Sequence, residues 1–491
     1  MSNIKISYQR IVFGLKIKQL RQSRGLSFGE FADKTGMSMS YLNEIEKGKK
    51  YPKEDKIELL AKVLGVSVDT LISPSLSKNL APLGDLLNSN FLNELPLELF
   101  GIDFQKLVEL IAEAPTKVGA FISTLVELGR TYAVREENFY FRALRAYQEL
   151  HNNYFEEIEE AAERFIEAYR VQHPLNVQAV AKIISDDFDT EIVADGLSTY
   201  PELQHFRSLA LPQQKKILLN GLLNEHQKTY QLIKEVGFKY LGLEARVIPG
   251  LRAQTFEEVL NNYKAAYFAV AVLIPKELIV KDLQVFFELE KWNEQYFAAL
   301  MDKYHVSSET LFQRFNVLPR FFGIEKLFFI RFIHNADNAD FDIDKELHLH
   351  QRHQPHANGI FEHYCRRWKS ISLIKDLAKA DTSKENVLCG VQRLSYADTQ
   401  DEYLAFTIAR PAYPSPNRDV SVTIGLQIDA HLRKKIKFLD DAAIPSEIVG
   451  VTCERCAIQD CKERVSPPLR LEERARRQQI QRALAEISAN P

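Results

Sequence analysis

Three cysteines lie within nine residues, Cys453, Cys456 and Cys461 in CERCAIQDC, after a strand-like stretch and before Pro467-Pro468. Thiolates at this spacing can wrap one loop around a soft metal centre. A closed site needs a fourth ligand. Cys365, in HYCRRW, completes the expected metal-binding set of Cys365, Cys453, Cys456 and Cys461. Zinc and a 4Fe-4S iron-sulfur cluster both accept such a set, and the spacing does not separate them. Cys389, inside ENVLCGVQRL, has the surroundings of a buried strand residue. Three buried or free thiols are the plainer alternative, but they account poorly for such clustering in a chain with five cysteines.

Upstream, KELHLHQRHQPHANGIFEHYCRRW holds five of the 12 histidines: His348, His350, His353, His356 and His363. No pair has the i, i+4 spacing of a helical metal face, so polar contacts to an anion or to the chain itself are favoured over a second metal site. Arg forks match phosphates well. His353, His356, Arg366 and Arg367 are therefore the expected effector contacts.

A second kind of chemistry sits at the other end of the chain, in LKIKQLRQSRGLSFGEFADKTGMSMSYLNEIEKGKKYPKEDKIELLAKVLGV. Gly25 ends one helix, and Ser27-Phe-Gly-Glu30 has capping-box spacing for the next. Gly36 makes a tight turn, and a third helix starts at Ser38 or Met39 and stops at Gly48. Tyr41, Leu42 and Ile45 share the inward face of that helix. Ser38, Met39, Ser40, Asn43 and Lys47 face outward, where Asn can read adenine and Ser or Met can touch base edges. Lys47, Lys49 and Lys50 suit phosphate contacts. The segment resembles the phage-repressor (XRE/Cro-type) helix-turn-helix family, which implies a third helix in the major groove and binding as a dimer. Phe28 stands where that family often has a phosphate-contacting Gln.

In the middle, the helix YQLIKEVGFKYL between a strand-like ILLN and YKAAYFAVAVLIP resembles the metallopeptidase-like domain often fused to XRE-type regulators. Active members carry His-Glu-x-x-His there, two zinc ligands with a Glu that activates water. Here the five residues are Lys234, Glu235, Val236, Gly237 and Phe238, and Lys264 stands for the third ligand. An ammonium and a phenyl ring cannot bind zinc. The expectation is an inactive fold, not an enzyme, with Glu235 a surface or paired helix residue.

The elements that position these groups follow from patterning. The chain has 491 residues, 45% hydrophobic and 26% charged, with 20 Gly and 19 Pro. That is globular composition for about three or four domains. Residues 1–73 carry about 13 Lys/Arg against about 8 Asp/Glu, a basic end on an acidic body whose whole is −3. The apolar run Ala265–Pro275 is too short for a bilayer, and MSNIKISYQR lacks a signal core. A cytoplasmic protein with reduced thiols and no membrane contact is expected. The fold class is multidomain, mainly α at the N-terminus (helix-turn-helix plus helical connector), followed by α+β middle and C-terminal domains. The expected divisions are 10–73 for DNA binding, 74–172 for a helical connector that dimerises, 173–330 for the degenerate metallopeptidase-like domain, and 331–491 for a sensor with the Cys cluster. FFIRFI, YLAFTIARP, VSVTIGLQI and IVGVTC are the clearest strands in the last part. Arg470–Ile487 is a charged closing helix.

The order of parts, with KYHVSSETLFQRF, FFGIEKLFFIRF, the His-rich stretch and VGVTCERCAIQDCKERVSPP, resembles the short-chain fatty acyl-CoA regulators of bacteria across nearly the whole chain. The resemblance implies a homodimer on operator DNA, control of acetate, propionate or fatty-acid genes, an acyl-CoA effector and, in some members, an iron-sulfur cluster on the C-terminal Cys. Two other readings stand beside it: a redox- or metal-sensing regulator with the Cys cluster as sensor, and a zinc peptidase acting on a repressor, against which the missing His pair argues.

Overall fold

The structure is a computed structural model that describes residues 2–73, 136–335, 341–349, 362–379, 387–397, 399, 401–412, 414 and 418–489. It divides into two compact units, Met1–Ala143 with Gln254–Glu257, and Leu144–Ala253 with Glu258–Pro491.

The first unit opens with α1 (Ser2–Ser23), α2 (Phe28–Thr35), α3 (Met39–Glu46), α4 (Glu54–Leu64) and α5 (Val68–Ile72). Local chemistry sets most of these ends. Ser27 accepts the Glu30 amide and Glu30 answers at the Ser27 amide, the reciprocal capping expected from the sequence. Gly36 takes a left-handed φ of 63°, which lets the chain turn at once into α3. Phe13, Ile17, Phe31, Leu42, Ile45, Leu60 and Leu64 form one core. Gly14 is where α1 crosses α3: a Cβ there would stand 2.2 Å from the Ile45 carbonyl oxygen. α1 begins eight residues before the expected domain start at 10.

The expected connector falls largely outside the described residues. Its described part is α6 (Glu136–Leu150) and α7 (Glu156–Ala168). The second unit continues with α8 (Val177–Phe188), β1 (Glu191–Val193), β2 (Ser208–Leu211), β3 (Lys216–Leu219), α9 (Glu225–Tyr240) and α10 (Phe256–Leu273). The three strands form a sheet in the order β1-β3-β2, with β1 parallel and β2 antiparallel to β3. α11 (Lys276–Phe287), α12 (Glu294–Tyr304) and α13 (Ser308–Arg314) follow. Arg314, fully buried, forks onto Glu159 of α7 at 2.5 and 2.8 Å and donates to the Ile274 carbonyl at 2.7 Å. Tyr267 of α10 donates to the same carboxylate at 2.7 Å. A buried pair survives only with its hydrogen bonds filled in this way.

The last part holds β4 (Leu327–Asn335), β5 (Phe341–His348), α14 (Lys369–Leu377), β6 (Leu388–Tyr396), β7 (Glu402–Pro411), β8 (Arg418–Gln427), α15 (Ala430–Lys435), β9 (Ser446–Val449) and α16 (Leu469–Ala489). Six strands pair in the order β5-β4-β8-β7-β6-β9, all antiparallel except β6 with β9. β4 crosses the 330/331 division expected from sequence. β7 is buried on both faces: Tyr403, Ala405 and Ala409 join Trp368, Ile371 and Ile374 beside α14. The alternate Phe406 meets Trp292, Phe297 and Phe286 at 5.4 to 5.9 Å. Alternation along a strand thus serves two layers.

Candidate functional site

The third helix presents the face the spacing predicts. Leu42 and Ile45 are fully buried, and Tyr41 packs against the same core with Lys56 over its ring at 4.4 Å. Ser38, Met39, Ser40, Asn43, Lys47, Lys49 and Lys50 are all exposed, Met39 at 57%. Ser38 also caps α3, accepting the Tyr41 amide at 3.2 Å. Lys50 is engaged by Glu44 at 2.8 Å, and that contact raises its ammonium pKa.

Sequence reasoning missed what holds this face in place. Glu46, at the end of α3, is 4% exposed and takes the Arg21 guanidinium at 2.6 and 3.1 Å. Arg21 also donates to the Leu26 carbonyl at 2.9 Å and lies 4.1 Å from the Phe28 ring centre. So Phe28, the departure from the family pattern, stacks on the cation that anchors α3 to α1. Lys16 reaches the other end of the bundle, donating to the Thr70 and Ser73 carbonyls at 2.8 and 2.6 Å. A run of Lys and Arg in α1 gave no sign of which cations turn inward.

In α9, Lys234 donates to Asn262 of α10 at 2.6 Å, and burial lowers its ammonium pKa to about 8. Glu235 is buried and holds Arg246 at 2.7 Å, the paired role expected for it. Arg246 covers the Phe238 ring at 4.2 Å. Cation, aromatic ring and ion pair occupy the helix face where the layout it resembles has its zinc ligands.

Cys365 and Cys456 meet at Gly450. Its amide donates to Cys365 Sγ at 3.5 Å, and Cys456 Sγ lies 2.9 Å from where a Gly450 Cβ would stand. Residues 363–365 run against 451–453, with Cys453 donating to the His363 carbonyl at 2.9 Å and Cys365 to Val451 at 3.1 Å. Burial pushes the Cys365 thiol up to about 11, and Cys456 and Cys453 add to that rise. Cys461 is half-buried further along the loop. Cys389 is buried in β6, as its apolar neighbours imply. Among the described residues, no three His, Cys, Asp or Glu side chains stand in an arrangement that could hold a metal ion.

The loop itself is organised by a residue the sequence did not mark. Arg464 donates to the carbonyls of Cys453 at 2.9 Å, Cys456 at 3.3 Å and Ile458. Glu454 takes the His363 amide at 3.0 Å and its Nδ1 at 2.7 Å. Burial opposes the charge on Glu454, yet these bonds hold its pKa below the usual carboxylate value.

Of the expected effector residues, two are described, Arg366 and Arg367. His353 and His356 lie outside the described residues. Arg366 is buried with its guanidinium 4.4 Å from the Phe341 ring centre, while Arg367 pairs with Glu447.

Comparison with known proteins agrees with the N-terminal geometry. The helix-turn-helix family HTH_3 matches residues 17–71. The chain is 22% identical over 491 residues to a propionyl-CoA carboxylase regulator of Cereibacter sphaeroides, covering 94% of this chain and 95% of that one. It is 40% identical over 63 residues to the HTH-type transcriptional regulator SinR of Bacillus licheniformis, spanning 57% of that protein. It is 36% identical over 63 residues to the HTH-type regulator YazB of Bacillus subtilis, covering 91% of it. A solved Mycobacterium tuberculosis transcriptional regulator aligns at TM-score 0.45 and 19% identity, over 67% of this chain and 94% of that one. With α2 and α3 capped and faced as described, the chain belongs to the XRE-type helix-turn-helix transcriptional regulators.

Proposed function

We propose that this regulator binds a paired operator as a homodimer in the cytoplasm and controls genes of short-chain fatty acid metabolism in response to an acyl-CoA. The observation that carries the DNA-reading part is the division of α3: Leu42 and Ile45 buried, with Ser38, Met39, Ser40 and Asn43 exposed. A helix so divided can enter a major groove without disturbing its core. The name of the full-length Cereibacter relative supports the acyl-CoA part. No described helix is long and apolar enough to cross a membrane. The test is operator affinity at fixed salt with and without propionyl-CoA. A changed affinity supports the effector, because a ligand acts only by binding the two states differently. An unchanged affinity rejects it.

A non-enzymatic role accords with the regulators it resembles and with Lys234 and Phe238 at the metal-ligand positions. Peptidase turnover with added zinc that disappears in Glu235→Gln would reverse that reading.

The thiol loop is the proposed place for zinc or an iron-sulfur cluster. The placing of Cys365 and Cys456 beside Gly450 supports it, and the thiols would have to draw together to form a metal-holding set. An iron-sulfur group would add a redox input to the regulator; zinc would only brace the loop. Iron, sulfide and zinc assays on anaerobically purified protein decide between them, and a metal-free, colourless protein rejects both.

A further inference from the structure

The densest chemistry left unused by DNA reading and by the thiol loop surrounds Lys234. Three cations act on its ammonium, Lys345 of β5, Arg246 after α9 and Arg207 just before β2, and Glu235 acts in the opposite sense. Behind them Glu309 of α13 takes Lys345 and Arg331, the latter at 3.5 Å, and Asp344 takes Arg331 at 3.2 Å. Five cations therefore share three carboxylates. Arg246 Nε and Arg331 Nε are buried with no hydrogen-bond partner, and Arg331 is 9% exposed. Lys234 and Arg207 keep partial access to solvent. Like charges crowded together repel, and buried donors left unfilled are costly, unless something negative joins them.

We propose that this cluster binds an anion of the phosphate class, with Lys234, Arg207 and Lys345 meeting its oxygens. Guanidinium forks and ammonium groups suit phosphate oxygens, and a partly enclosed setting strengthens each contact. The site stands where a peptidase-like layout keeps its metal, with side-chain cations in place of zinc. The phosphate belongs either to a free inorganic anion or to a larger phosphorylated molecule. The inference does not depend on the effector being an acyl-CoA.

The full chain is titrated calorimetrically with inorganic pyrophosphate at constant ionic strength, and in parallel with coenzyme A. Lys234→Met and Arg207→Gln are compared with the unaltered protein; Arg207 is half-exposed, so its variant keeps the test alive if the other does not fold. Saturable pyrophosphate binding, weakened at least tenfold in the folded variants, is expected. It should also weaken as pH rises through about 8, where Lys234 loses its proton among Glu235, Asn262, Arg246, Arg207 and Lys345. Coenzyme A binding lost in the same variants supports the anion site and names the larger molecule as source. Pyrophosphate binding without coenzyme A binding supports it with a free anion as source. No saturable pyrophosphate binding, or equal binding by the folded variants, overturns the anion site. Coenzyme A binding that survives both substitutions then leaves the effector reading standing without it.

Discussion

Glu46 and Lys234 show opposite uses of a buried charge. Glu46 is matched by Arg21, and its removal strands a guanidinium in the core of the DNA-binding unit. Glu46→Ala should therefore cost about 3–5 kcal/mol, read as a lowered unfolding midpoint of that unit. Lys234 carries the reverse sign. Its folded pKa of about 8 lies below that of an ordinary lysine, so between pH 8 and the ordinary value the unfolded chain holds more protons. Stability rises with pH across that window; below it both states are charged and the folded protein bears the whole cost of the buried ammonium. Lys234→Met should raise stability at pH 7 by about 1–3 kcal/mol and flatten that rise. Thermal melts of both proteins at pH 7 and 9.5 check this. A loss of stability in the variant would mean that the Asn262 bond outweighs burial.

At the scale of the element, α3 combines two tasks on one sequence. Asn43→Ala should weaken operator binding by about 1–3 kcal/mol and leave binding to unrelated DNA unchanged, since only base contacts distinguish them. Lys47→Ala should weaken both equally and reduce the slope of log affinity against log salt by about one. Anisotropy titrations at several salt concentrations separate the two outcomes. The bounds of α2 and α3 were legible because caps and glycine turns act within four residues. Their interior pins were not: whether Arg21 or a neighbouring Lys turns inward depends on where α1 crosses α3 at Gly14. The same limit hid Arg464, whose three carbonyl partners come together only once the thiol loop has closed.

At the scale of the whole molecule, the thiol loop links residues about ninety apart in the chain, Cys365 with Cys453 and Cys456. Cys456→Ser should lower bound iron or zinc at least tenfold if the loop holds metal, with metal analysis and the visible spectrum as the readouts. A folded variant with unchanged metal would place the ligands elsewhere. The sequence alone determined that residues 17–71 form a DNA-reading helix bundle and that β4, β7 and β8 are strands. Each of these rests on neighbours a few residues apart, through capping, periodicity or a short motif. Tertiary structure decided the order of the six-stranded sheet, the parallel pairing of β6 with β9, the approach of Cys365 and Cys456 to Gly450, and the convergence of Lys234 with Arg207, Arg246 and Lys345. Those depend on pairings between distant segments, where many arrangements satisfy the same local pattern and packing selects one.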